Sequence, residues 1–348
     1  MKKPTKQYDT KEEITMKNFK KICRMEQMKL KSWCEKLLVA KYGKNNVVNG
    51  DGFLYAKGNG KTPILLTAHM DTVHKEKCSE IIVTKVKGEN NENMTILRSP
   101  QGIGGDDRCG IWMIFMILTK TKYRPSILFC EDEEIGGIGS SKFAKTEYIK
   151  EFEELKYLVE LDRANVNDAV YYDCGNEDFK VYIEKAIGYK EAYGSFSDIG
   201  HLSPACDKAS VNLSCGYYKQ HTLDEFVIFE EMYHTYSKVK ELLKQSKDAP
   251  SFDYQEDTYN GWGMFSNLYS RVYKDDDYDY EYGKYSSGFD GYVLDGQSMY
   301  EVVFNGEDGK ENYFDCQARS MEEAVGLWLM EYPNMCFGKN FVDCYEYA

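Results

Sequence analysis

The pair His69-Met70-Asp71, at the end of the apolar run Ile64–Ala68, sets an imidazole and a carboxylate two residues apart. A ring nitrogen of His69 is suited to a divalent metal, and Asp71 could accept a hydrogen bond from the other ring nitrogen and orient it. On its own such a pair is common. Four further motifs carry acids or a histidine. Gly104-Gly105-Asp106-Asp107-Arg108-Cys109-Gly110 opens an apolar helix with two carboxylates, which capping of exposed N–H groups would explain equally well. The run Glu131-Asp132-Glu133-Glu134 follows the apolar stretch Ile127–Cys130. Four adjacent carboxylates repel one another unless a cation neutralises them or they face water. Tyr157–Leu161 ends in Asp162-Arg163, which could be a salt-bridged surface turn, and His221 lies in a loop where a lone histidine needs no function.

Short apolar runs alternate with helical stretches through this region: Ile64–Ala68, a helix over Gly110–Thr119, Ile127–Cys130, a helix near Gly139–Ile149, Tyr157–Leu161 and Ser210–Ser214. That rhythm implies an α/β fold with a mostly parallel or mixed central sheet and helices on both faces. Ligands bind beyond the carboxyl ends of strands in such sheets. The strand ends at 68, 131 and 161 and the loop at 221 would then converge on one edge. Two histidines and several carboxylates there match the N/O donor set of a zinc-type centre, with too many donors for one tetrahedral ion. Two metals bridged by one aspartate is the economical arrangement.

Flanking elements follow from the same patterns. Residues 11–42 read as one polar helix with apolar punctuation, and Ile81–Lys87 with Met94–Arg98 as a hairpin. Thr222-Leu223-Asp224-Glu225 fits a capping box, so the last helix of this region should begin directly after His221. We expect a catalytic domain over 1–245, an acidic Tyr- and Asp-rich linker over 246–290, and a small β-β-α module over 291–348 that matches no part of the family named below.

The charge distribution argues against nucleic acid. Residues 1–247 hold 38 basic and 36 acidic side chains, whereas 248–348 hold 6 and 21, so the tail carries the net charge of −13. A basic stripe is absent and the tail would repel phosphates. Without a long apolar span or a signal-like start we expect no membrane partner and a cytoplasmic location. Eleven scattered cysteines with no CxxC pattern read as reduced thiols.

In order and local spacing the five motifs, across roughly residues 50–245, resemble the co-catalytic dizinc exopeptidases: peptidase T, the carboxypeptidase G-like enzymes and the bacterial dizinc aminopeptidases. The resemblance makes His69, Asp106, Glu134, Asp162 and His221 metal ligands, with Asp106 bridging. It makes Glu133 the general base and Asp71 the aspartate that orients His69. Peptidase T inserts a lid or dimerisation domain between the last two ligands, but only 59 residues separate Asp162 from His221 here. The chain therefore looks like the lidless aminopeptidases, although its motifs around His69 and Asp106 are written in the lid-bearing style.

The resemblance implies two divalent ions, Zn2+ first, with Mn2+ or Co2+ accepted by the same donors. It implies hydrolysis of peptide bonds in short peptides by an aminopeptidase or di/tripeptidase. An N-acyl amino-acid deacylase with the same metals is the alternative, and an inactive binding module of the same fold is a second. Tyr217, Tyr218 and His74 are candidate substrate contacts. The C-terminal module is a candidate surface for self-association or a protein partner.

Overall fold

The computed structural model describes residues 11–88, 91, 93–194, 196–256, 298–305, 311–318, 324, 328 and 341–346. The chain divides into two compact units, Met1–Asn267 and Leu268–Ala348. In the first unit α1 (Lys11–Cys23) and α2 (Gln27–Tyr42) precede β1 (Val47–Gly50), β2 (Phe53–Ala56) and β3 (Leu65–His69). Next come β4 (Ile82–Lys87), β5 (Asn93–Arg98), α3 (Gly105–Lys120), β6 (Ser126–Cys130), α4 (Ile138–Ala144) and β7 (Leu158–Arg163). The unit continues through β8 (Asp168–Val170), α5 (Glu177–Ile187), β9 (Lys190–Ala192), α6 (Asp198–Cys206) and β10 (Ser210–Ser214). It closes with β11 (Tyr217–Tyr218), β12 (Phe226–Ile228) and α7 (Phe229–Gln245).

Eight strands form one sheet in the order β1-β2-β6-β3-β7-β10-β8-β9. Its central four, β6, β3, β7 and β10, are parallel, and the strands outside them pair antiparallel to their inner neighbours except β9, which is parallel to β8. Side chains alternate between the two faces with the two-residue period of a strand, and both faces are buried. Leu54, Leu66, Ala68, Ile127, Phe129, Val159 and Leu161 face the layer built on α1, α2, α3, α5 and α7. Phe53, Tyr55, Leu65, Leu128, Cys130 and Leu158 face the layer of α4, α6 and the 3₁₀ turns at Glu147–Glu154. The mixed sheet covered on both faces is as expected. Trp112 of α3, fully buried, gathers Phe19, Phe229 and Tyr236 around it at ring distances of 6.4, 5.6 and 6.0 Å.

The chain leaves β3 for β6 on one side and then crosses to β7 on the other, so the strand order reverses at β3. A crevice at such a switch point is where open α/β sheets bind ligands. The register places His69 opposite Cys130 and Thr67 opposite Glu160, bringing the carboxyl ends of these strands to one edge. Helix α3 lies close against β7 because residue 110 is glycine: a Cβ there would stand 2.1 Å from the Leu161 carbonyl oxygen and 2.6 Å from the Asp107 carboxylate. We expect Gly110→Ala to destabilise the fold by about 1–3 kcal/mol, as overpacking does, read as a thermal midpoint several degrees lower.

Two expectations are corrected. Residues 11–42 form two helices, because α1 packs on α3 whereas α2 lies over β1 and β2. The last helix of the unit starts at Phe229, seven residues later than the capping box implied. Thr222 Oγ1 instead donates to the Lys219 carbonyl, and Phe226–Ile228 pairs antiparallel with Ile96–Arg98 in a second sheet of order β11-β12-β5-β4. Helices α5 and α6, between β7 and β10, were not anticipated.

The chain after Gln245 stays with the first unit as far as it is described. Phe252 is buried against Tyr157, Phe179 and Tyr182, and its amide donates to the Lys156 carbonyl. Of the expected linker 246–290, residues 257–290 lie outside the described residues. In the second unit β13 (Ser298–Asn305), β14 (Glu311–Ala318) and β15 (Phe341–Glu346) form an antiparallel sheet in the order β14-β13-β15. The third strand was not expected. Ala324 and Trp328 are helical and buried, with the Trp328 ring tilted against Phe304 at 5.2 Å. Among the described residues no helix is long and apolar enough to cross a membrane, and Cys23, Cys34, Cys78, Cys109, Cys130, Cys174, Cys206 and Cys215 are buried and form no disulfide.

Candidate metal centre

His69 is the last residue of β3 and its side chain is fully buried. Its Nδ1 lies 3.1 Å from Asp71 Oδ1, while its Nε2 lies 2.8 Å from Asp106 Oδ1 and 3.2 Å from Asp162 Oδ1. The other oxygen of Asp106 faces a second histidine: His221 Nε2 is 3.3 Å from Asp106 Oδ2 and 3.0 Å from Glu134 Oε2. The Asp106 carboxylate therefore stands between two half-sites, His69 with Asp162 and His221 with Glu134. Donor atoms of His69, Asp106 and Glu134 all lie within 4.8 Å of one another, as do those of His69, Asp107 and Asp162.

Each member is held by its element. Asp162, at the carboxyl end of β7, has its amide donating to Asn212 Oδ1 of β10 at 2.9 Å. Asp71 accepts the amides of Glu133 at 3.1 Å and Glu134 at 3.0 Å, so one carboxylate orients His69 and the turn after β6 together. Arg108, buried, donates to the carbonyls of Met70 at 2.8 Å and Asp71 at 3.0 Å and pins the strand-end loop from beneath. His221 sits at φ +63°, a left-handed conformation uncommon outside glycine. Glycine would relax that backbone but could not supply an imidazole.

The acidic motifs divide their labour. Asp107 is the cap: its oxygens accept the His69 amide at 3.3 Å and the Gly110 amide at 2.8 Å. Asp106 beside it is left for the site. Of the four acids after β6, Glu131 is neutralised by Lys31 of α2 at 2.7 Å and Asp132 accepts from Gln27 at 3.2 Å. Glu133 and Glu134 remain to face the histidines. The Glu133 carboxylate is partly exposed and makes no hydrogen bond or ion pair with the described residues.

The electrostatics are those of too much negative charge in a dry place. Burial raises the pKa of Asp162, and the neighbouring Asp106 charge adds to it. Burial likewise raises Glu133, helped by Asp162, and Glu134, helped by Asp106. Burial opposes charge on His221, yet Asp106 and Glu134 outweigh it and push the imidazole up to about 11. His69 is likewise raised, by Asp162, Asp106 and Asp71 against burial. Asp106 is held well below the usual carboxylate range by both histidines despite its own burial. Glu134 Oε1 is buried with no hydrogen-bond partner, a costly state for a carboxylate oxygen. A cluster of carboxylates and imidazoles with an orphaned oxygen is the donor set that divalent cations fit.

The three candidate substrate contacts have hydrogen-bond partners within the fold. Tyr217 is buried and donates to the Asp162 carbonyl at 2.9 Å, so its hydroxyl is committed to the scaffold. Tyr218 donates to Glu231 at 2.5 Å and stacks on Phe226. His74 Nε2 is 2.7 Å from Glu225. Sequence reading passed over Ser197, Asn212, Glu160 and Glu225. Glu160 bonds Ser197 and sits two residues before Asp162 on the same strand face, the one signal that could have found it.

No family model matches the sequence, and no curated protein matches it. In fold, the chain is similar to solved α/β structures. It is similar to a tripeptidase from Staphylococcus aureus, 13% identical over 68% of this chain and 99% of that one, with a TM-score of 0.51. It is also similar to the aminopeptidase PepT from Bacillus cereus, 15% identical over 68% of this chain and 98% of that one, with a TM-score of 0.50.

Proposed function

We propose that the chain is a metal-dependent hydrolase of peptide bonds, an aminopeptidase or di/tripeptidase acting on short peptides. The observation that carries this is the Asp106 carboxylate, one oxygen toward His69 with Asp162 and the other toward His221 with Glu134. His69, Asp106 and Asp162 would hold one divalent ion, and His221, Glu134 and Asp106 a second, Zn2+ being the best match to the donors and Mn2+ or Co2+ acceptable. Bound there, the pair would supply positive charge to polarise a carbonyl and acidify a water. The fold shared with a tripeptidase and an aminopeptidase supports the same reading.

Glu133 is placed to do the proton work. Its carboxylate makes no hydrogen bond or ion pair with the described residues, and its raised pKa suits a group that takes a proton from water and gives it to the leaving amine. Asp71 holds His69 by the ring nitrogen that faces away from Asp106 and fixes the Glu133 and Glu134 amides. We expect Asp71→Asn to cost about 10–100-fold in metal affinity or activity, as loss of an orienting partner does, measured by kcat/KM and metal retention together.

The test is a substrate panel on the purified full chain: free-amine di- and tripeptides beside N-acylated amino acids, each with and without added metal. Metal-dependent cleavage of the free-amine peptides is the expected result. Cleavage confined to the N-acyl compounds would make the chain a deacylase with the same site. No cleavage of either by metal-loaded protein would leave a binding module.

A further inference from the structure

We infer that Glu225, together with His74, is a positioning residue that sets the direction of the Asp106 carboxylate and so couples the two half-sites. The inference rests on the two-metal reading of that centre. Glu225 is fully buried, and its two oxygens are shared among three donors. Oε1 accepts the Asp106 amide at 3.0 Å, while Oε2 accepts the Gly104 amide at 2.9 Å and His74 Nε2 at 2.7 Å.

The need for such an acceptor is local. Gly104 lies at φ +65°, and Asp106 and Asp107 are non-helical at φ −81°, ψ 103° and φ −116°, ψ 50°. Amides at the start of a helix have no acceptor within it. Glu225 supplies one from a different loop and thereby fixes the peptide plane from which the Asp106 side chain departs. His74 is locked in turn: a Cβ at residue 102 would stand 2.2 Å from its ring, so the imidazole has room only because that residue is glycine.

Three loops meet at this one carboxylate. The loop after β3 carries His69 and His74, the loop before α3 carries Asp106, and the loop before β12 carries His221 and, four residues on, Glu225. One of its three donors is the backbone amide of the shared ligand itself. Glu225 is thus the carboxylate through which the segments of both half-sites keep their spacing.

The experiment compares the full-length wild type with Glu225→Gln by competing a chelator for Zn2+, alongside melting of each metal-free protein. Glu225→Gln is expected to weaken metal retention by about 10–100-fold, the usual cost of losing an orienting partner. His74→Ala is expected to weaken retention in the wild-type chain and to add little in the Glu225→Gln chain, because both act through one carboxylate. If Glu225→Gln does not fold, Glu225→Asp, which keeps the charge but falls short of the amides, carries the same expectation. A variant that melts lower without metal yet holds two ions as tightly as wild type overturns the inference and leaves the two-metal reading standing. A folded wild-type chain that takes up no metal removes that reading and this inference with it.

Discussion

Asp106→Ala should lose both metals and, with them, more activity than any other single change. The variant removes the side chain whose two oxygens lie against the two histidines, leaving His69 with Asp162 and His221 with Glu134. Two ligands fall short of the three that catalytic sites of this donor type provide. Turnover is expected to fall by more than the roughly 10²–10⁴-fold that a general base alone contributes. The check is elemental analysis of the purified variant beside peptide hydrolysis, with melting of the metal-free protein as the folding control. Retention of two tightly held ions would show that Asp106 is not the shared ligand.

Glu133→Ala should separate chemistry from metal binding. Among the described residues the Glu133 carboxylate makes no hydrogen bond or ion pair; its amide, which donates to Asp71, and its carbonyl, which accepts the Gly136 and Gly137 amides, are untouched by the change. Removing its carboxylate deletes the proton acceptor for the attacking water and the donor for the leaving amine. We expect kcat to fall by about 10²–10⁴-fold, with KM and metal content near wild type. Glu133→Gln, similar in shape, should fall as far, because an amide cannot carry the proton. Near-normal turnover in either variant would move the base elsewhere, and lost metal would make Glu133 a ligand.

How much of this was legible in the sequence follows from the range of each interaction. The sheet was legible because Leu65–His69, Ser126–Cys130 and Leu158–Arg163 are short apolar runs ending in polar residues, and parallel strands present those ends to one edge. The site was legible for the same reason, since His69, Asp106, Glu133, Glu134, Asp162 and His221 all sit at or just past element ends.

What distant segments decide was not legible. Nothing near Glu131 shows that Lys31, a hundred residues earlier in the chain, neutralises it and leaves Glu133 and Glu134 for the site. Thr222 and Glu225 have the spacing of a capping box, but the acceptor that a helix start would use is drawn instead to Gly104, Asp106 and His74. Pairing with β5 then extends Phe226–Ile228 as a strand. A local pattern lost to tertiary contacts, and the residue that broke the pattern is the one whose carboxylate accepts the Asp106 amide. From sequence His74 is a histidine just past His69, and only the fold supplies its buried partner Glu225.

The central claim, a two-metal hydrolytic centre shared through Asp106, is tested most directly by titrating metal-stripped full-length protein with Zn2+ while following both bound metal and hydrolysis of a tripeptide. Uptake of two ions per chain, with hydrolysis appearing as they bind, is the result expected. Hydrolysis by the fully stripped protein, or a folded chain that binds no ion at these residues, would contradict it.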